Sequence, residues 1–87
     1  MMVIKKAEST VLIDGVPLSD ANIKAIQQWY LRIFFPSGMI VKSPFLLKKF
    51  RRWLLEYGGV PFTRMEAQRL IRAMYHTRLL PNLGLGG

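Results

Sequence analysis

The segment Gly58-Gly59-Val60-Pro61-Phe62-Thr63-Arg64-Met65-Glu66 ends one amphipathic helix and begins the next. Two consecutive glycines stop a helix, because glycine readily takes the left-handed conformation that follows a last helical turn. Thr63 and Glu66 fit a capping box, in which the threonine caps the helix start and the glutamate reaches back to the backbone. The segment therefore predicts two helices joined by a short linker.

The sequence on both sides of this segment has helical periodicity. Ser43-Pro44 is a helix start, because a capping residue precedes proline at the first helical position. In the helix over 44–57, the core stripe is Leu46, Phe50, Trp53 and Tyr57, with Leu47 and Leu54 beside it. In the helix over 63–79, the buried stripe is Ala67, Leu70, Ile71 and Met74. The pair has a helix-turn-helix-like or winged-helix-like arrangement, with a linker longer than the usual turn of three or four residues.

The N-terminal third predicts a small β element and one more helix. Asp14-Gly15 is a favoured two-residue hairpin turn with both residues at positive φ, and Pro17 keeps the second arm short or at a sheet edge. Met2–Lys5 is a candidate for another strand. A helix over 19–35 starts at Ser19 and ends before Pro36. The predicted fold class is mainly α (α+β): a small three-helix domain with an N-terminal β-hairpin.

Length and composition limit the organisation of the chain. Its 87 residues have room for one domain over 1–87, with a hairpin region at 1–18 and a flexible tail at 81–87. The absence of cysteine excludes disulfides and cysteine zinc sites. Because 51% of the residues are apolar and 11% are aromatic, intrinsic disorder is disfavoured.

The charge is strongly basic and unevenly distributed. The net charge is +8; residues 1–31 hold three lysines against three carboxylates, so the whole excess lies in residues 32–87. A basic region of this kind indicates a polyanionic partner. The alternative is that the basic residues only keep an apolar protein in solution.

The two C-terminal helices carry the candidate contacts to nucleic acid. The second would read bases, because arginine forks onto guanine edges and glutamine pairs with adenine, while the first would follow the phosphates. The free N–H groups at the helix start beside Thr63 would bind a phosphate. The candidate residues are Lys48, Lys49, Arg51, Arg52, Thr63, Arg64, Gln68, Arg69, Arg72, Tyr75 and His76. One alternative is that these basic faces are only solvated. Another is that they bind a membrane surface, which is less favoured because Phe50 and Trp53 are needed in the core.

A second candidate surface is apolar. Leu31, Phe35, Phe45 and Leu55 fall outside the main buried stripes. Together they would form a surface for a partner protein or a homodimer. The alternative is that another element, such as the hairpin or the Met39–Val41 connector, covers them.

The functional interpretation is that of a binding protein. No nucleophile–base pair, phosphate loop or metal motif occurs, and His76 has no co-ligands, so we expect no enzymatic activity, no cofactor and no metal. No apolar run reaches the roughly 20 residues of a membrane span, and we expect a cytoplasmic protein. The predicted function is DNA binding, favouring the duplex, in transcriptional or mobile-element (phage or plasmid) regulation. The alternative is a small inhibitor or adaptor that docks on an acidic partner protein.

Overall fold

A three-stranded antiparallel sheet precedes three helices in the part of the chain that the structure describes. The structure is a computed structural model, and it describes residues 2–34 and 44–80, the side chains of 33 and 34 excepted. The strands are β1 (Ile4–Lys6), β2 (Val11–Ile13) and β3 (Val16–Pro17), and the helices are α1 (Asp20–Phe34), α2 (Pro44–Gly58) and α3 (Arg64–His76). This order confirms the predicted mainly α, α+β fold class.

The sheet has the order β1-β2-β3 and is built around the predicted hairpin. Asp14 and Gly15 have φ values of 52° and 81°, as a two-residue turn with two positive φ angles requires. The Asp14 side chain also accepts a hydrogen bond from the Val3 N–H at 2.8 Å, and its own N–H donates to the Val3 carbonyl at 2.7 Å. The turn therefore holds the start of β1, and the strand expected at Met2–Lys5 occurs at Ile4–Lys6.

Aromatic rings fill the contact between α1 and α2. Trp29 lies 5.2 Å from Phe50 and 5.5 Å from Trp53, measured between ring centroids, and both Trp29 and Phe50 are buried. Tyr57 stacks on Trp53 at 5.0 Å, but the expectation that it is buried is wrong: 49% of its surface is exposed. It occupies the last turn of α2, where its hydroxyl donates to Asn22 Oδ1 at 3.1 Å on the protein surface.

Helix α3 packs against both the sheet and α2. Its predicted stripe of Ala67, Leu70, Ile71 and Met74 is buried. Phe62 in the linker is also buried, and its carbonyl accepts a hydrogen bond from Arg51 Nε at 2.9 Å. Within the described residues, no helix combines the length and the apolar character needed to cross a bilayer.

The start of α3 contains the predicted capping box and one contact more. Glu66 Oε1 accepts from the Thr63 N–H at 2.8 Å, and Thr63 Oγ1 accepts from the Glu66 N–H at 3.2 Å. The other carboxylate oxygen of Glu66 accepts from the Met2 N–H at 2.9 Å. The hydrogen bonds from Thr63 and Met2 hold the pKa of Glu66 below its ordinary value. One carboxylate thus joins the N-terminal segment to the start of α3.

Helix α3 ends at His76, so the expected end at Leu79 is wrong. Arg78 takes a left-handed conformation with a φ of 61°, and the N–H groups of Leu79 and Leu80 turn back to the Met74 carbonyl. The apolar pattern continues into Leu79-Leu80, but after the reversal Leu80 enters the core and the Leu79 carbonyl accepts from Gln27 Nε2 at 2.7 Å. Asp14 has a sequence signal for its left-handed conformation because it precedes glycine in a hairpin turn, whereas Arg78 stands in no such motif.

Replacing Glu66 with alanine is expected to lower the Tm more than Thr63→Ala does. Thr63→Ala removes only the cap, which typically contributes about 1 kcal/mol, whereas Glu66→Ala leaves the N–H groups of both Met2 and Thr63 without their acceptor. Glu66→Gln should fall between wild type and Glu66→Ala, because one amide oxygen replaces two carboxylate oxygens. Thermal denaturation followed by circular dichroism at pH 7 measures the three variants.

The same glutamate predicts a loss of stability in acid. Because folding lowers its pKa, its stabilisation is complete above the unfolded value of about 4.3 and disappears as the pH falls through the lower folded value. The Tm difference between wild type and Glu66→Gln should therefore shrink below about pH 4. A difference that stays constant from neutral pH into this acidic range would contradict the assignment.

Arg78→Gly is expected to stabilise the protein by about 0.5–1 kcal/mol. A left-handed backbone costs a side-chain-bearing residue about 1–2 kcal/mol, and the greater freedom of glycine in the unfolded chain offsets part of the gain. Arg78→Ala is the matched control, because it removes the charge and keeps the strained conformation. Urea denaturation of both variants should show a gain for glycine alone; equal gains would assign the effect to charge.

Candidate nucleic-acid interface

Helix α3 presents one exposed, largely basic face. Arg69, Arg72 and His76 lie on it together with Met65, and all four side chains are exposed. We call these four residues the α3 outer face. At 1.5 Å of rise per residue, Arg69 and His76 are about 10 Å apart along the helix, a length of about three base-pair steps. The opposite side of α3 is buried in the core, which fixes the orientation of this face.

Strand β1 adds a fourth basic or titratable side chain beside this face. A depression of about 220 Å³ separates β1 from α3, and Ile4 and Lys6 line it together with Arg69, Arg72 and His76. Ile4 and Lys6 share one side of the sheet, because alternate residues of a strand point the same way. Sequence reasoning missed Lys6. The alternation of side-chain directions along β1 can be recognised in the sequence. The proximity of Lys6 to Arg69 and Arg72, however, results from the packing of β1 against α3.

The carboxylates leave these basic side chains unneutralised. All five carboxylates of the chain lie within the described residues, and none forms an ion pair with a described Lys or Arg. Asp14 binds the Val3 N–H at the hairpin turn, and Glu66 binds backbone N–H groups at the start of α3. Two of the five acidic side chains thus bind backbone groups of the fold, and the basic faces keep their positive charge for solvent or a ligand.

Helix α2 has a second exposed face of mixed character. Lys48, Lys49 and Arg52 are exposed there, as predicted, and Phe45 and Leu55 lie among them. We call these five residues the α2 outer face.

Arg51 does not belong to this face. It is half-buried, and its guanidinium binds the Phe62 carbonyl. Its observed role is to hold the linker against α2.

Two of the predicted base contacts are partly covered by the fold. Tyr75 is half-buried, its ring packs edge-on to Tyr30, and the two hydroxyls are hydrogen-bonded to each other. Burial raises the pKa of Tyr30, and burial together with the Tyr30 hydrogen bond raises that of Tyr75, so both phenols stay protonated at neutral pH. Gln68 is also half-buried. Helical periodicity alone predicts that Gln68 and Tyr75 lie on the exposed side of α3.

The start of α3 has fewer free N–H groups for a phosphate than predicted. The Thr63 N–H donates to Glu66 Oε1, and Thr63 Oγ1 accepts from the Glu66 N–H. A carboxylate therefore occupies the position where an anion was expected, and it would repel a phosphate. Arg64, the first residue of α3, is exposed, so its side chain remains a candidate contact.

The predicted apolar surface is exposed where the structure describes it. The exposed fractions are 66% for Phe45 and 48% for Leu55, and Leu31 on α1 is also exposed. Phe35 and the Met39–Val41 connector lie outside the described residues. Phe45 and Leu55 share the α2 outer face with basic side chains rather than forming a purely apolar patch.

One apolar pocket of the described surface lies apart from these two faces. A pocket of about 200 Å³ lies between the sheet, α1 and the end of α2, and most of its lining residues are apolar, among them Ile13, Leu18, Ile26 and Leu54. No group of three His, Asp or Glu side chains within the described residues could hold a metal ion.

Comparisons of this chain with protein-family models, with curated proteins and with solved structures find no match. The interpretation of its surface therefore rests on the positions, exposure and charge of the described side chains.

Proposed function

We propose that this protein binds duplex DNA through the α3 outer face and acts as a small regulatory DNA-binding protein in the cytoplasm. The observation that carries the proposal is the exposed row Arg69, Arg72 and His76 beside Lys6, which no carboxylate neutralises within the described residues. The regulated process would be transcription or the maintenance of a mobile element such as a phage or plasmid.

The shape of α3 supports a groove-binding role. Its 13 residues form a rod about 20 Å long, and the major groove, about 12 Å wide, admits a single α-helix. Arg69 and Arg72 stand one turn apart, and each guanidinium can fork onto the O6 and N7 atoms of a guanine. Lys6 lies to the side of the helix, where a phosphate of the groove wall would pass.

The basic residues of α2 have a supporting role in this proposal. Lys48, Lys49 and Arg52 add positive charge on the neighbouring helix, which favours DNA of any sequence by releasing counterions. Binding as a homodimer would double the small footprint of one α3 and is part of the proposal.

The proposal predicts that Arg69→Ala/Arg72→Ala weakens duplex binding by at least about tenfold. An arginine that reads a base contributes about 1–3 kcal/mol, and each lost phosphate contact reduces the steepness of the salt dependence. Fluorescence anisotropy with a labelled duplex, repeated at several salt concentrations, measures both effects. A gel shift with duplexes of differing sequence shows whether the loss depends on sequence.

The matched control is Lys24→Ala/Arg32→Ala, which removes the same charge from exposed positions of α1. It should retain most of the affinity. If the control loses as much affinity as the arginine pair, the overall charge binds DNA and the α3 outer face has no special role. Wild-type protein that fails to bind any duplex at low salt would refute the proposal entirely.

A further inference from the structure

We infer that the α2 outer face is a docking site for an acidic, amphipathic helical segment of another protein. This inference does not rest on DNA binding, because it concerns a different helix face from the one that carries the proposed function. Its starting point is that Phe45 and Leu55 are exposed among Lys48, Lys49 and Arg52.

The face is a single stripe with two depressions. Residues 45, 48, 49, 52 and 55 follow helical spacing, and the stripe is about 15 Å long. Phe45, Lys48, Lys49 and Arg52 line a depression of about 210 Å³. A second, of about 250 Å³, lies between Lys48, Arg52, Leu55 and the linker residue Pro61. Lys48 and Arg52 border both, so the stripe has an apolar side chain at each end and three basic side chains between them.

The exposed apolar side chains give this face more than the positive charge that supports DNA binding. Phosphates require only hydrogen-bond donors and positive charge, and Phe45 and Leu55 would offer them nothing. The Lys49 ammonium lies 4.9 Å from the centre of the Phe45 ring, so an apolar group and a positive charge are presented at one place. A partner with apolar side chains at two separate places and carboxylates between them matches this pattern.

Charge complementarity selects an acidic partner. The three basic side chains of the face have no carboxylate partner among the described residues, and Glu56 is the one acidic residue of α2. Partner carboxylates would pair with Lys48 and Arg52 while its apolar side chains cover Phe45 and Leu55. Helix recognition of this kind spaces the apolar anchors of the partner by whole turns, and the separation of about 15 Å between Phe45 and Leu55 corresponds to anchors about three turns apart.

A membrane surface fits the face less well. An interfacial helix buries a broad apolar face in the lipid. The broad apolar face of α2, with Leu47, Phe50 and Leu54, is already buried in the protein core. Phe45 and Leu55 alone would remain for insertion, so we commit to a protein partner.

Selection from a displayed library of random peptides of about 15 residues, the length of α2, tests this inference with the full chain as bait. The expected result is enrichment of sequences with Asp or Glu between apolar residues at helical spacing. Synthetic copies of the enriched peptides are then titrated by fluorescence anisotropy. Enrichment of neutral or basic sequences, or no enrichment, would overturn the inference.

The variants identify the face that binds. Leu55→Glu and Phe45→Glu should each raise the Kd of a selected peptide at least about tenfold, as loss of a central interface contact does. Leu55→Ser should weaken binding without changing the charge. Met65→Glu on the α3 outer face, where 62% of the methionine is exposed, is the matched control and should bind as wild type. Unchanged binding by Leu55→Glu would refute the assignment.

Two further measurements separate this inference from the alternatives. Vesicles of phosphatidylserine and phosphatidylcholine should not compete with the peptide, and competition that Leu55→Ser abolishes would instead indicate a membrane surface. Arg69→Ala/Arg72→Ala should bind the peptide normally, and Leu55→Ser should bind duplex DNA normally. Failure of DNA binding alone would thus overturn the proposed function and leave this inference standing.

Discussion

The carboxylate of Glu66 joins the N-terminal segment to the start of α3. One oxygen accepts from the Thr63 N–H and begins the helix, and the other accepts from the Met2 N–H and holds the segment that leads into β1. Both hydrogen bonds are part-buried, and a part-buried donor that lacks its acceptor is costly, so the two contacts together stabilise one arrangement of strand and helix. Because Lys6 follows on β1 and Arg69 on α3, this link also brings the basic side chains of the candidate interface to one place.

Local signals predicted most of the fold, and tertiary contacts account for the rest. The turn at Asp14-Gly15, the cap at Ser19, the stop at Gly58-Gly59 and the capping box at Thr63 each involve residues within a few positions of one another. Helical periodicity wrongly predicted that Tyr57 is buried, because the packing of α1 on α2 determines how much of the last turn of α2 is covered. Helical periodicity also predicted that α3 continues beyond His76, whereas the chain reverses at Arg78.

The sequence predicted which basic side chains of α3 are exposed, but it did not predict the full set of residues that form the candidate site. Amphipathic spacing correctly identified Arg69, Arg72 and His76 as exposed. It also included Tyr75, whose hydroxyl is bound to that of Tyr30, 45 residues away in the sequence. It omitted Lys6, because no local pattern relates a short strand to a helix that begins at Arg64. The meeting of β1 and α3 is a long-range contact, and single-sequence periodicity does not contain it.

The described surface divides into two faces of different chemistry. The α3 outer face has Met65 as its one apolar residue beside the basic row, whereas the α2 outer face mixes Phe45 and Leu55 with its cations. If DNA binds the α3 outer face, an NMR titration of the labelled protein with duplex DNA should give the largest chemical-shift changes at Lys6, Arg69, Arg72 and His76. Changes confined to the α2 outer face, or spread evenly over all basic residues, would show that DNA does not bind there.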